Sequence, residues 1–185
     1  MYLDDHLYHV YNRGAHKLDI FRSEFQYNLC LNLLEKYKAK YRIHVHAYCL
    51  MPNHYHLLLK QNNGGSISRF LQTLFNAYVQ AFNQIEEHSG TIFQGAAKSI
   101  QVENDEYAYQ LVAYIHYNPV AARLVRNPEV WQFSDYKEWI GKRPFRFEGY
   151  DLLKLFFGNS KEYNKFIETY QEEKTLSKID NYLLD

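Results

Sequence analysis

Two alternating runs, joined by a turn that neither can extend through, set the tightest limit on what this chain can become. From Arg42 to Leu50 the residues Ile43, Val45, Ala47 and Cys49 recur at every second position, the period of a strand with one buried face. Met51-Pro52-Asn53 stops the run, because proline fixes φ and offers no backbone donor. His54 to Lys60 is a second run of strand character, and so short a link closes the two into a tight antiparallel hairpin. A lone hairpin is marginal in water, so further strands and a covering layer must come from the rest of the chain.

The flanking sequence supplies both. His6 to Asn12, rich in Tyr and Val, reads as another strand, ended by Arg13-Gly14. Ser23 is the candidate cap of a helix over 24–41, with Gln26 three residues on as in a capping box and Leu29, Leu33 and Leu34 at helical spacing. After the Asn62–Gly65 loop, Ser66 caps a helix running to about Glu87, with a stripe of Ile67, Phe70, Leu71, Leu74, Ala77, Tyr78 and Phe82. Ser89-Gly90 breaks it, and 91–102 reads as extended, bent at Gly95. Asp105 to Val125 is a third helix, in which Pro119 predicts a kink or an early break. This order of elements implies an α+β fold, an antiparallel sheet covered by helices. From Asn127 the character changes. Pro128, Trp131, Ser134, Tyr136 and Trp139 read as an extended, apolar-anchored segment, and 151–157, 161–173 and 177–184 as short helices. The chain thus divides into a main unit, 1–126, and a helical C-terminal extension, 127–185, packed on it.

Composition narrows the function. Hydrophobic residues are 46% of the 185, enough for a core, and 21 basic residues balance 21 acidic ones. Without a net positive charge, any nucleic-acid site must be local: a groove, aromatic platforms or a metal. No apolar run approaches the roughly 20 residues of a membrane span. Met1–Asp5 lacks the pattern of a signal peptide, and Cys30 and Cys49 sit in apolar stretches without metal-ligand spacing. These features fit reduced core cysteines in a cytoplasmic protein. Aromatic residues reach 17%, with 18 tyrosines, which suit core packing and base stacking equally.

Two local patterns carry chemistry. In His54-Tyr55-His56 the imidazoles are i and i+2 on a strand, so both face one side and Tyr55 faces the other. Such a pair either begins a metal site, completed by a carboxylate, amide or water, or is a hydrogen-bonded pair on a sheet face. His44 and His46 also share a face. They would make a zinc cluster if they approached the first pair, but their place far along the hairpin favours a structural role. In Tyr114-Ile115-His116-Tyr117-Asn118-Pro119, Tyr114 and Asn118 are i and i+4 on a helix and can present a hydroxyl nucleophile and an amide ligand together. Tyr107, Tyr109 and Tyr117 have Leu111, Ala113 and Ala121 at that spacing, none of them a ligand. The alternative for Tyr114 is an aromatic of an amphipathic helix, and His116 and Tyr117 read as packing residues.

Three motifs in order, Tyr8-His9-Val10-Tyr11-Asn12-Arg13-Gly14, Met51-Pro52-Asn53-His54-Tyr55-His56-Leu57-Leu58-Leu59 and Tyr114 through Ala122, give the chain a family likeness. It resembles the single-tyrosine HUH transposases, in particular their REP-associated tyrosine transposase branch. The resemblance implies a ferredoxin-like sheet with the tyrosine helix packed beside it. It implies His54, His56 and Asn118 as ligands of Mg2+ or Mn2+, and Tyr114 as the nucleophile. The activity implied is nicking of hairpin-flanked single-stranded DNA to a 5′-phosphotyrosine and a free 3′-hydroxyl, followed by rejoining. The setting implied is the bacterial nucleoid, as monomer or homodimer, with Tyr114 serving its own metal site or a partner's. Phe93-Gln94-Gly95 is family-like, but Ala96-Ala97 stands where an arginine and an aromatic are expected. DNA contacts are therefore expected at Arg13, Lys17 and Lys98, with Arg22 as a further cation, and base stacking at Tyr8, Tyr11 and Tyr55. Two other functions compete: a domesticated nucleic-acid-binding protein that no longer cleaves, and a metal nuclease that uses water.

Overall fold

The computed structural model describes residues 2–173. Its elements are β1 (Leu7–Arg13), α1 (Glu24–Lys40), β2 (Ile43–Met51), β3 (His54–Gln61), α2 (Ile67–Ile85), β4 (Lys98–Gln101) and α3 (Asp105–Ala121), then α4 (Tyr136–Trp139), α5 (Gly149–Phe157) and α6 (Ser160–Glu173). The four strands form one antiparallel sheet in the order β2-β3-β1-β4. Two strand–helix–strand units are thereby interleaved, the ferredoxin-like arrangement expected of the sequence.

Period-two alternation sorts the side chains onto two layers. Tyr8, Val10, Val45, Leu50, Tyr55, Leu57 and Leu59 face α1 and α2, where they meet Leu31, Leu34, Phe70, Leu74 and Tyr78. Ala47, Cys49, Met51 and Leu58 face α3 and the C-terminal helices, where they meet Leu111, Val112, Ile115, Trp139 and Tyr163. Each fully buried side chain of this size contributes about 1.5–3 kcal/mol. Cys30 and Cys49 are both free and buried, on opposite faces of the sheet. Among the described residues no helix is long and apolar enough to cross a membrane.

Several local expectations change. Ser66 caps α2 by accepting from Arg69 N, but Ser23 makes no such bond to α1. Gln26 reaches one residue further back instead, accepting from Arg22 N at 2.6 Å, and its amide donates to Glu86, which ties α1 to α2. The extended run over 91–102 shrinks to β4, preceded by a single bridge between Gly14 and Phe93. Helix α3 ends at Ala121, two residues past Pro119, where the Asn118 and Pro119 carbonyls accept from Ala122 N and Leu124 N. Of the segment expected to be extended after 127, Tyr136 and Trp139 lie in the single turn α4, which the Asp135 carbonyl starts by accepting from Glu138 N and Trp139 N. The helix expected over 177–184 lies outside the described residues.

The C-terminal segment covers the outer edge of β2. Phe133 O accepts from Leu50 N at 2.9 Å, and Glu148 N donates to Val45 O at 3.0 Å. Asp135, almost wholly buried, accepts from Tyr48 N at 2.8 Å and from Trp139 Nε1 at 3.0 Å, and it meets His116 Nε2 at 2.9 Å. His116 Nδ1 in turn lies 2.6 Å from the Tyr163 hydroxyl. One carboxylate thus ties α3 to β2, α4 and α6. Asp135→Ala strips three buried groups of their partner and should cost about 3–5 kcal/mol, read as a lower urea midpoint; a change under about 1 kcal/mol contradicts this role.

Candidate active site

Strand register assembles the site. Cys49, His56, Tyr11 and Lys98 are successive partners across all four strands, so they form one row on the α3 face. The next row places Arg13 opposite His54, and the row on the other side contains His9. Asn53, in the β2–β3 turn, aims His54: its Oδ1 accepts from His54 Nδ1 at 2.7 Å, while its amide donates to the carbonyl of Lys17 at 3.3 Å. Helix α3 closes over the rows from Leu111 to Pro119.

Asn118 is the meeting point. Its Oδ1 stands 2.9 Å from His54 Nε2 and its Nδ2 stands 3.2 Å from His56 Nε2, and Tyr114 lies one helical turn before it on the same face. Tyr114 is nearly buried and packs edge-on against His56, ring centroids 5.3 Å apart. His54, His56, Tyr114 and Asn118 are therefore together, on one chain, as their spacings suggested. His44 and His46 are not with them. They lie at the other end of the hairpin, bonded to Asn62 and to the Glu148 carbonyl, with a β-bulge between Val45 and Ala47.

Burial sets the charge of the site. It holds His54 below the usual imidazole range, with the Arg13 charge adding to the effect and the Asn118 contact opposing it. It holds His56 well below, reinforced by His54 and His9, and brings His9 down to about 3. It pushes the Tyr114 phenol up, and the nearby Asn118 amide opposes the shift. Both imidazoles of the pair are neutral at pH 7. With its Nδ1 proton committed to Asn53, His54 turns a lone pair toward Asn118 Oδ1, an arrangement that a cation relieves. The 2.9 Å between His54 Nε2 and Asn118 Oδ1 is also close to the roughly 3.0 Å between neighbouring ligands of a six-coordinate Mg2+-sized ion. Two imidazole nitrogens and an amide oxygen thus form a donor set suited to a divalent cation.

The cations divide. Arg13 lies beside His54 with its Nε bonded to Gln94, Lys98 is exposed at the end of the histidine row, and Lys17 is exposed on the turn that Asn53 holds. Arg22 is committed elsewhere, paired with Glu86 at 2.9 Å and lying over Phe82. Of the tyrosines expected to stack bases, Tyr8 (4% exposed) and Tyr55 (0%) are packed in the opposite layer and cannot; Tyr11 lies in the site, between His56 and Lys98. A groove of 740 Å³ between α2 and residues 90–97 opens on that opposite layer, and none of the four site residues lines it. Sequence reasoning missed His9. The two-residue period of β1 puts it on the face of Tyr11, and only the placement of β1 beside β3 brings it to His56.

Comparison with known proteins gives the chain its family and a matching fold. The family model of IS200-like transposases matches residues 2–118, ending on Asn118, and the chain belongs to that family. In structure, the chain is similar to a REP-associated tyrosine transposase bound to a REP hairpin, with a TM-score of 0.67 and 18% identity over 78% of this chain and 86% of the other. At that identity the likeness is one of fold. A candidate transposase from Deinococcus radiodurans R1 gives a TM-score of 0.44 at 19% identity over 59% of this chain and 87% of the other. No curated protein matches the chain in sequence.

The buried imidazoles predict acid sensitivity. His9 and His46 have folded values near 3 and 4 against about 6.5 when unfolded, so the unfolded chain takes up protons first as pH falls. Their contribution is complete above pH 6.5 and is lost below it, at about 1.4 kcal/mol per pH unit for each ring. In chelator, the urea midpoint should drop between pH 7.5 and 5.5; an unchanged or higher midpoint contradicts neutral burial of these rings.

Proposed function

We propose that this transposase-family protein nicks and rejoins single-stranded DNA through Tyr114, at a site where His54, His56 and Asn118 hold Mg2+ or Mn2+. The observation that carries this reading is that Asn118 bridges both imidazoles while Tyr114, one turn before it, packs on His56. A structural tyrosine needs no place against a pair of neutral histidines bridged by an amide.

The Tyr114 oxygen attacks the scissile phosphorus in line, forming a P–O bond to tyrosine as the bond to the 3′ oxygen breaks. The phenol proton ends on the departing oxygen, leaving a 5′-phosphotyrosine and a free 3′-hydroxyl. One phosphodiester replaces another, so a 3′-hydroxyl can attack the adduct and restore the strand. When bound, the divalent cation polarises the phosphate and stabilises charge that develops on it. Asn118 orients the phenol, whose proton burial retains until substrate arrives. Because Tyr114 packs against the pair of its own chain, the geometry supports action in cis. Arg13, Lys17 and Lys98 surround the site and would hold flanking phosphates. The fold shared with a protein bound to a REP hairpin supports the REP-associated branch, and hairpin-bearing single strands as substrate. In this reading residues 1–126 carry the chemistry, and the described residues after 127 support α3.

Incubation with Mn2+ and labelled hairpin-bearing single strands should give a denaturation-resistant protein–DNA adduct. Tyr114→Phe, which keeps the ring and its packing, should reduce the adduct below detection while retaining strand binding. An adduct that persists, or that maps to Tyr117, contradicts the assignment. Cleavage with no adduct would point to water as nucleophile, and binding without cleavage to a non-catalytic binder.

A further inference from the structure

His9 takes no part in the reaction above, yet it is fully buried against one of its imidazoles. Its Nε2 lies 2.9 Å from His56 Nδ1, with the rings stacked at 5.1 Å and 20°. Its other nitrogen, Nδ1, is buried without a hydrogen-bond partner. Leaving such a group unpaired opposes folding. A leucine or phenylalanine would fill the space without that cost, so what distinguishes histidine here is the contact made by Nε2.

Proton placement gives that contact a direction. The Asn118 amide donates to His56 Nε2 at 3.2 Å, so this nitrogen carries a lone pair and the proton of the neutral ring is on Nδ1. His56 Nδ1–H then donates to His9 Nε2, and His9 keeps its own proton on Nδ1, the atom left unpaired. Which nitrogen of a histidine is free to bind is set by the hydrogen bond the other makes.

We propose that His9 is a positioning residue for the cation site: by accepting the Nδ1 proton of His56 it fixes the tautomer whose Nε2 lone pair faces Asn118 and His54. This rests on the reading of His54, His56 and Asn118 as cation ligands. Without an acceptor at position 9 the proton of His56 shifts to Nε2, where a rotated Asn118 amide accepts it and the lone pair needed by a cation is lost. Partners of this kind behind metal-bound histidines typically matter about 10–100-fold in affinity.

The test uses the full chain, His9→Phe and His9→Gln, with thermal melts to confirm folding. Glutamine places its amide oxygen near the position of His9 Nε2 and restores an acceptor; phenylalanine keeps the stacked ring alone. Nitrogen-15 spectra of the metal-free proteins read which nitrogen of His56 bears the proton, and the free-ion paramagnetic resonance signal reads Mn2+ affinity. The unsubstituted chain and His9→Gln should carry the proton on Nδ1. His9→Phe should carry it on Nε2 and bind Mn2+ about 10–100-fold more weakly, with His9→Gln within a few-fold of the unsubstituted chain. A proton on Nε2 in the unsubstituted chain overturns the proposal. So does a His9→Phe protein with unchanged tautomer and affinity, or a His9→Gln protein as impaired as His9→Phe. If the unsubstituted chain binds no Mn2+, the cation reading fails by itself and the tautomer spectra alone decide the role of His9. If His9→Phe does not fold, the unsubstituted chain and His9→Gln decide it.

Discussion

The pairing of β1 with β3 is the contact on which the site depends. It sets Tyr11 opposite His56 and Arg13 opposite His54, and so brings His9, Tyr11 and Arg13 to the face that the histidine pair occupies. A one-residue slip would turn all of them into the α1–α2 layer and bring Val10 and Asn12 out, so the apolar alternation of β1 enforces the register. The turn beyond it is pinned by backbone bonds: Gly14 N donates to Asn53 O at 2.7 Å, and Ile20 N and Phe21 N donate to Pro52 O at 2.7 and 2.9 Å. Gly14 has to be glycine there, because a Cβ would stand 1.9 Å from the Leu18 carbonyl oxygen.

Burial gives this assembly its chemical character. It keeps the imidazoles neutral and able to donate lone pairs, and it keeps the phenol protonated. A chain with no net charge draws no general attraction for DNA, and Arg13, Lys17 and Lys98 stand together at the edge of the site. The helix that bears Tyr114 and Asn118 is held from both sides. Asn118 faces the sheet, and His116, between the two, turns outward to Asp135 and Tyr163 of the C-terminal segment. That segment begins after the part of the chain matched by the family model, yet it fixes the helix on which the chemistry rests.

The sequence made the central features legible because each obeys a local period. The spacing i, i+2 placed His54 and His56 together, i, i+4 placed Tyr114 with Asn118, and the proline turn defined the hairpin. Long-range partners were not legible. His9 reaches His56 only through the order of the strands, and Asp135 reaches His116 only because the tail returns along β2. The tyrosines show the same limit. All three of Tyr8, Tyr11 and Tyr55 are buried, but strand parity turns Tyr8 and Tyr55 into the α1–α2 layer and Tyr11 to the histidine face. Gln26 has the spacing of a capping box, yet Glu86 on the neighbouring helix draws its side chain elsewhere.

The central claim is that two imidazoles and one amide converge on a single cation beside a tyrosine. A crystal of the protein grown with Mn2+ and measured at the manganese edge tests it most directly. The account predicts one anomalous peak about 2.0–2.3 Å from His54 Nε2, His56 Nε2 and Asn118 Oδ1, with the Tyr114 hydroxyl facing the open side. A peak elsewhere, or a pair of rings turned apart with no peak between them, would contradict it.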